Sequence, residues 1–441
     1  MLIFEHQRIS ANGRLEIGGC DTAALAAEFG TPLYVMDETA IRNRMRAWHS
    51  AFNALYPTGI AYASKAFLTT AMVRIVEQEG LNLDVASGGE LYTAVKAGFP
   101  ADRLVFHGNN KSDDELEMGL RHNVGRLVID NFHELERLNA FAGARGMKQG
   151  VLIRCTPGID PHTHRLIRTG QEDTKFGFSI KSGDAAEAAR RIEASPSLEL
   201  TGIHCHLGSN LMDATSHLDA VDVMVAFLAR LQRDINRTLS ELDLGGGLGV
   251  RYLPDQRPVS VETFAGSVVP NLIETLDKHG AGRPRLGLEP GRSIVAEAGT
   301  TLYTIGAVKE VAIPSAPGKR IYVNIDGGMS DNPRPQLYEA RYSAILANRA
   351  NESPDTQVTI AGKHCETDIL ISNTDLPMPH PGDILAVQTT GAYNHSMASN
   401  YNRLARPAVV LVREGTADLI VRRETLEDIV ARDIIPDRLR A

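Results

Sequence analysis

The feature that most constrains this chain is an alternation. Eight short apolar or β-branched runs lie near residues 59–63, 81–86, 104–107, 126–130, 151–155, 199–205, 240–244 and 285–288. Amphipathic stretches such as TTAMVRIVEQEG and DELEMGLRHN separate them. Short apolar runs suit strands buried on both faces, and a helix between consecutive strands implies parallel pairing with right-handed crossovers. Gly or Asn at the ends of the helical stretches supplies the stops. Eight such units predict an α/β fold, a closed (β/α)8 TIM-like barrel, over residues 36–300. An open doubly wound sheet is the alternative, and it fits poorly with reactive residues after nearly every run.

At 441 residues the chain is too long for one ordinary core. After about residue 300 the texture changes. TLYTIGAVKEVA, KRIYVNID, DTQVTIAG and DILAVQTT alternate with a period near two between turn residues. That pattern predicts a C-terminal antiparallel β domain over residues 301–441, which residues 1–35, with their own short strand-like pieces, also join.

Composition excludes some partners. A net charge of −8 argues against nucleic acid and anionic membrane surfaces. No apolar run approaches the roughly 20 residues needed to span a bilayer. The start, MLIFEHQRIS, lacks the layout of a signal peptide. The four cysteines, Cys20, Cys155, Cys205 and Cys365, are far apart and form no C-x-x-C pair. Disulfides are not expected, and a cytoplasmic location is.

In a (β/α)8 barrel the reactive groups stand at the C-terminal ends of the strands. Lys65, in GIAYASKAFLTT, directly follows the first run, so its ammonium points to the barrel mouth. Desolvation and nearby positive charge lower a lysine pKa and free the amine to condense with an aldehyde; a plain surface lysine is the other reading. LDLGGGLG, residues 242–249, follows the seventh run, where backbone N–H groups of a glycine loop can close on a phosphate. It is not a dinucleotide fingerprint, and a simple glycine turn is its bland alternative. LGLEPGRSIV, residues 286–295, follows the eighth run and aims Glu289 into the mouth. A carboxylate there keeps a pyridine nitrogen protonated, unless it merely pairs with Arg292. In GIHCHLGSN, residues 202–210, His204 and His206 share one side of a strand, but no third metal ligand is evident nearby and no metal is expected. A flat imidazole stacked on a cofactor ring, with Ser209 at its phosphate, uses the stretch better. DVASGGE adds Asp84 and Glu90 after the second run. An amine for an aldehyde, a carboxylate for a pyridinium, a glycine cradle for a phosphate and a stacking partner together specify pyridoxal 5'-phosphate, attached at Lys65.

YASKA, HCHLGS, LGGGLG and EPGR resemble the fold-type III pyridoxal-phosphate decarboxylases. DGGMSDNPRPQLY (326–338), GKHCETD (362–368), GAYNHSMASNYN (391–402) and the N-terminal LAAEFGTPLYVMDE resemble, within that group, the diaminopimelate decarboxylases. The resemblance covers nearly the whole chain. It implies that Lys65 holds the cofactor, Glu289 faces its ring nitrogen and His206 stacks on its face. It implies that Ser209, Gly246, Gly247, Gly291 and Arg292 surround the phosphate, with Tyr393. Arg292, Arg334 and Tyr338 would bind the distal carboxylate of an amino-acid substrate, Glu366 would meet its distal ammonium, and Cys365 would donate the proton. It further implies a homodimer with shared sites, because such enzymes deliver the cysteine loop from the partner subunit. The implied reaction is decarboxylation of meso-2,6-diaminopimelate to L-lysine and carbon dioxide, the last step of lysine biosynthesis. The alternative is a related decarboxylase acting on ornithine, arginine, lysine or a carrier-bound amino acid. Arg154 is left between touching the cofactor and pairing with a barrel carboxylate, His204 is expected to pack in the barrel, Asp84 is a candidate support for Lys65, and Cys155 and Cys205 are expected to be inert. One departure stands out: the cysteine loop of the family reads C-E-S-G-D, and CETD here is one residue shorter.

Overall fold

In the computed structural model, which describes residues 2–159, 173–314 and 317–440, each of the eight apolar runs forms a strand. The chain divides into two units, one of residues 42–250 and 257–294, the other of residues 1–41, 251–256 and 295–441. The first carries β1 (Thr58–Ala63), β2 (Asn82–Val85), β3 (Leu104–Phe106), β4 (Arg126–Ile129), β5 (Gln149–Thr156), β6 (Leu198–His204), β7 (Glu241–Asp243) and β8 (Arg285–Leu288). All eight pair in parallel in the order β5-β6-β7-β8-β1-β2-β3-β4. The β4–β5 pairing, Leu127 to Val151 through Ile129 to Ile153, closes the barrel.

Helices α1 (Thr70–Gln78), α2 (Gly88–Lys96), α3 (Asp113–Arg121) and α4 (Phe132–Ala144) follow the first four strands. Helices α5 (Asp184–Glu193), α6 (Thr215–Asp234) and α7 (Val261–His279) follow the next three. Side-chain oxygens start several of them: Ser87 caps α2, Ser112 forms a capping box with Glu115 on α3, and Asn131 caps α4. Each such cap stabilises a helix by about 1 kcal/mol. Ser87 and Asn131 lie only two residues beyond β2 and β4, so these loops are short and hold the strand ends close to the helix starts. Gly280, at φ +63°, ends α7 in the left-handed conformation that suits glycine. Val105, Val128 and Leu152 fill the barrel interior with branched side chains.

The second unit is built on β9 (Gly299–Ala312), β10 (Lys319–Ile325), β11 (Thr356–Ala361), β12 (Ile369–Leu376), β13 (Ile384–Gln388) and β14 (Ala408–Arg413). The sheet runs β12-β11-β10-β9, then the strand Leu33–Asp37, then β14, with β13 also on β9. β9 is its axis: the first half is buried and pairs with both Leu33–Asp37 and β13, and the more exposed second half pairs with β10. Leu15, Ile17, Leu25, Leu33 and Val35 share one core with Leu302, Ile345 and Val410, so the N-terminal segment is part of this unit. The sheet is antiparallel except at two pairs, β10 with β11 and Leu33–Asp37 with β14. A period of two does not reveal strand direction. Parallel neighbours need a long connection, and the β10–β11 crossover, residues 326–355, provides one. Among the described residues no helix is long and apolar enough to cross a membrane.

Candidate active site

Each barrel strand ends in a group with chemistry. Lys65 sits in a single 3-10 turn, Ser64–Ala66, after β1; its neighbours are buried and Lys65 itself is exposed. Burial therefore does not distinguish this amine. Its charge reaches into the mouth nonetheless, bearing on Asp84 and His206. Asp84, on β2, is buried; desolvation and the Glu289 charge push its carboxyl well up, against the pull of Lys65. Glu90 is spent locally, accepting from the Ala86 N–H at 2.6 Å.

Glu289 follows β8, and its backbone N–H is held by the Gly245 carbonyl at 2.8 Å. The alternative of a salt bridge with Arg292 is not what the structure has. His204 Nε2, at the end of β6, lies 3.1 Å from Glu289 Oε2, and His107 Nε2, just after β3, lies 2.7 Å from Oε1. The two imidazoles meet edge to face at 4.8 Å. Burial alone would raise the Glu289 pKa; the two histidines outweigh it and hold the carboxyl well below its usual range. Burial in turn pushes His107 down to about 4, so a neutral ring faces the carboxylate. His204 thus does more than pack, and His107 is a site residue that sequence reasoning missed. The signal was available, since His107 directly follows the third apolar run. The potential ligand atoms of His107, His204 and Glu289 all lie within 4.8 Å of one another, which supplies the third neighbour of His204 that sequence spacing did not reveal.

His206 is half-buried, and desolvation followed by the charges of Lys65 and Arg154 holds its pKa well down. Its Nδ1 accepts from the Gly246 N–H at 3.2 Å, which leaves the proton of the neutral ring on Nε2. The glycine loop is backbone against backbone: a β-carbon at Gly246 would lie 2.1 Å from the Glu289 carbonyl oxygen, and one at Gly247, φ +123°, would lie 2.7 Å from the Gly208 carbonyl oxygen. Gly291 is less confined: a β-carbon there would lie 3.0 Å from Ala63 Cβ. Arg292 is buried and donates from Nη2 to Ser209 Oγ at 2.8 Å. Arg154 Nε approaches Asp130 Oδ2 at 3.8 Å and its guanidinium covers the Phe176 ring at 4.3 Å. Cys155 and Cys205 are buried, with thiol pKa values raised by desolvation, as inert groups would be.

The second unit carries the other group of residues. Arg334 opens the helix Arg334–Tyr338 and is buried between two phenol rings, 5.2 Å from the centroid of Tyr338 and 5.5 Å from that of Tyr393. Burial works against its charge, but Tyr342, Tyr252 and Tyr393 outweigh burial and raise its pKa. Tyr342 and Tyr252, which sequence reasoning did not single out, meet edge to face at 5.4 Å, and Tyr342 Oη donates to Asn394 Oδ1. Among the described residues no carboxylate pairs with Arg334. Cys365 and Glu366 stand together on the hairpin loop between β11 and β12, and Cys365 is the one exposed cysteine. Its N–H donates to Asn402 Oδ1 at 3.2 Å, and Glu366 accepts from Tyr401 Oη at 2.6 Å.

The family profile described as pyridoxal-dependent decarboxylase, pyridoxal binding domain, matches residues 38–296. The chain is 48% identical over 436 residues to the diaminopimelate decarboxylase of Bacillus subtilis, covering 98% of each. The chain belongs to the diaminopimelate decarboxylases. The crystal structure of the M. jannaschii diaminopimelate decarboxylase in co-complex with L-lysine superposes with a TM-score of 0.92 at 35% identity, over 99% of each chain. The Helicobacter pylori diaminopimelate decarboxylase complexed with L-lysine gives 0.84 at 30% identity, over 93% of this chain and 98% of that one.

A diaminopimelate decarboxylase is a carboxy-lyase that uses pyridoxal 5'-phosphate, and the barrel mouth fits that group. It offers an exposed amine, an ionised buried carboxylate, a neutral half-buried imidazole and a loop in which Gly246 and Gly247 leave no room for a β-carbon. Gly246→Ala is expected to force that loop off the Glu289 carbonyl. It should destabilise the chain by about 1–3 kcal/mol and weaken cofactor binding. Thermal melting and a cofactor titration of the apoprotein check both.

Proposed function

We propose that this chain decarboxylates meso-2,6-diaminopimelate to L-lysine, as a homodimer with shared sites in the cytoplasm. What bound pyridoxal 5'-phosphate supplies is an electron sink for the carbon that loses carbon dioxide. Lys65 would hold the cofactor through its amine. Glu289, kept ionised by His107 and His204, holds a proton on the ring nitrogen. His206, held neutral, would offer the ring an uncharged neighbour that does not compete with the charge on that nitrogen. Ser209, Gly246, Gly247, Gly291 and Arg292 enclose the phosphate, with Tyr393. Arg292, Arg334 and Tyr338 take the distal carboxylate, Glu366 the distal ammonium, and Cys365 returns a proton to the substrate carbon.

The observation that carries the substrate choice is Arg334. A buried guanidinium with no carboxylate partner among the described residues, flanked by phenol rings, is a receptor for an anion brought by a ligand. Diaminopimelate has a distal carboxylate, and ornithine and lysine do not. Carbon dioxide release is therefore expected from meso-diaminopimelate far above ornithine or lysine. Equal or faster release from ornithine rejects this substrate.

A further inference from the structure

A buried pair closes the base of the cysteine loop. His364 and Asp368 flank the exposed Cys365, Glu366 and Thr367. Both of their side chains are fully buried, and His364 Nδ1–H donates to Asp368 Oδ2 at 2.6 Å. The same carboxylate accepts from the His364 N–H at 3.3 Å and, through Oδ1, from the Met329 N–H at 2.8 Å. The Asp368 carbonyl takes the Gly362 N–H at 2.8 Å, which completes the base of the loop. Two glycines make room for this: a β-carbon at Gly328 or Gly362 would stand 2.1 or 1.9 Å from Asp368 Oδ2. Asp368 itself is at φ +43°, a left-handed conformation that aspartate tolerates better than most residues.

The clamp reaches the tip of the loop. The His364 ring lies flat against Tyr401, with centroids 5.8 Å apart and planes 9° apart. Tyr401 Oη holds Glu366, and its neighbour Asn402 holds the Cys365 backbone. Asp368 therefore fixes His364, His364 braces Tyr401, and the 401–402 turn fixes the two tip residues.

We propose that His364 and Asp368 are positioning residues that set where the Cys365 thiol and the Glu366 carboxylate are presented. This rests on the reading of Cys365 as proton donor and names what aims it. Neither side chain touches the reacting atoms. A misplacement of about 1 Å at a reacting group can cost roughly 100-fold in rate, so a loose loop is expected to lower kcat while substrate binding through Arg334 persists.

The test uses the holoenzyme with Asp368→Asn and His364→Phe. The second variant keeps a flat ring on Tyr401 and deletes the Nδ1–H donor, together with the buried Nε2. Both are expected to lower kcat on meso-diaminopimelate by roughly 10–100-fold, with KM raised by the misplaced Glu366 and the visible absorbance of bound cofactor retained. Both are also expected to change the rate at which iodoacetamide alkylates Cys365, the other three cysteines being buried. In a Cys365→Ser background the same substitutions should have no further effect on kcat. Parental kcat and parental alkylation in His364→Phe overturn the proposal. So does a loss of activity that persists undiminished in the Cys365→Ser background, since a general structural defect would do that. If Cys365→Ser alone keeps the parental kcat, the donor reading fails, and the alkylation rates still judge the clamp.

Discussion

Replacing Lys65 by alanine is expected to remove decarboxylation by on the order of 10⁴-fold or more, the scale on which loss of a covalent catalytic group is felt. Lys65 does two separable things. Its amine is the group able to condense with the cofactor aldehyde, and its charge sets the electrostatics of the mouth. That charge helps to hold the His206 pKa down and opposes the upward push on Asp84. In Lys65→Ala both groups lose it: His206 should titrate nearer its ordinary range, and Asp84 should be driven further up. Lys65→Arg separates the two roles. A guanidinium keeps the charge but stays protonated and cannot condense. It should leave His206 depressed while remaining as inactive as the alanine variant. The measurements are carbon dioxide release, borohydride labelling of position 65 in the presence of pyridoxal phosphate, and an NMR titration of His206. Substantial activity in Lys65→Arg, or borohydride labelling at another lysine, would show that the cofactor is anchored elsewhere.

The barrel was legible because its strands are buried on both faces and read as plain apolar runs. Seven of the eight observed strands fall within about one residue of those runs at each end, and only β5 extends further in both directions, to Gln149–Thr156. Position after a strand then picked out Lys65, Glu289 and the 245–247 loop without any knowledge of contacts. What position could not give is partnership. His107 meets Glu289 across the mouth from β3 to β8, strands that are not neighbours in the sheet, so no local pattern signals the pair. The same holds for Arg334. Its segment was visible as a motif, but Tyr252 comes from a distant stretch and meets Tyr342 and Arg334 only when the second unit folds. The β unit also hid its two parallel pairings, because alternation records which face is buried and not which way a strand runs. The cysteine loop is the instructive case. Resemblance drew attention to CETD, and only the structure shows that a buried His364–Asp368 contact holds the base of that loop.

Arg334→Ala should move specificity more than turnover. Removing one member of a buried, hydrogen-bonded charge pair costs about 2–5 kcal/mol, and the distal carboxylate of the substrate is the other member only while diaminopimelate is bound. At about 1.4 kcal/mol per factor of ten, kcat/KM on meso-diaminopimelate should fall by roughly 30- to 3000-fold. Most of the loss should enter as a raised KM, because the contact forms far from the bond that breaks. Whatever weak release occurs from ornithine or lysine should be little changed, so the preference narrows from one side. Arg334→Lys should recover only part of the loss. The guanidinium is flat and lies between the rings of Tyr338 and Tyr393, where an ammonium neither stacks as well nor presents two parallel donors. Tyr338→Phe should cost less than either, since it leaves the stacking surface and removes one hydroxyl. Steady-state kinetics of the three variants on both substrates decide the matter. Unaltered kcat/KM on diaminopimelate in Arg334→Ala would place the carboxylate receptor at another residue and reopen the choice of substrate.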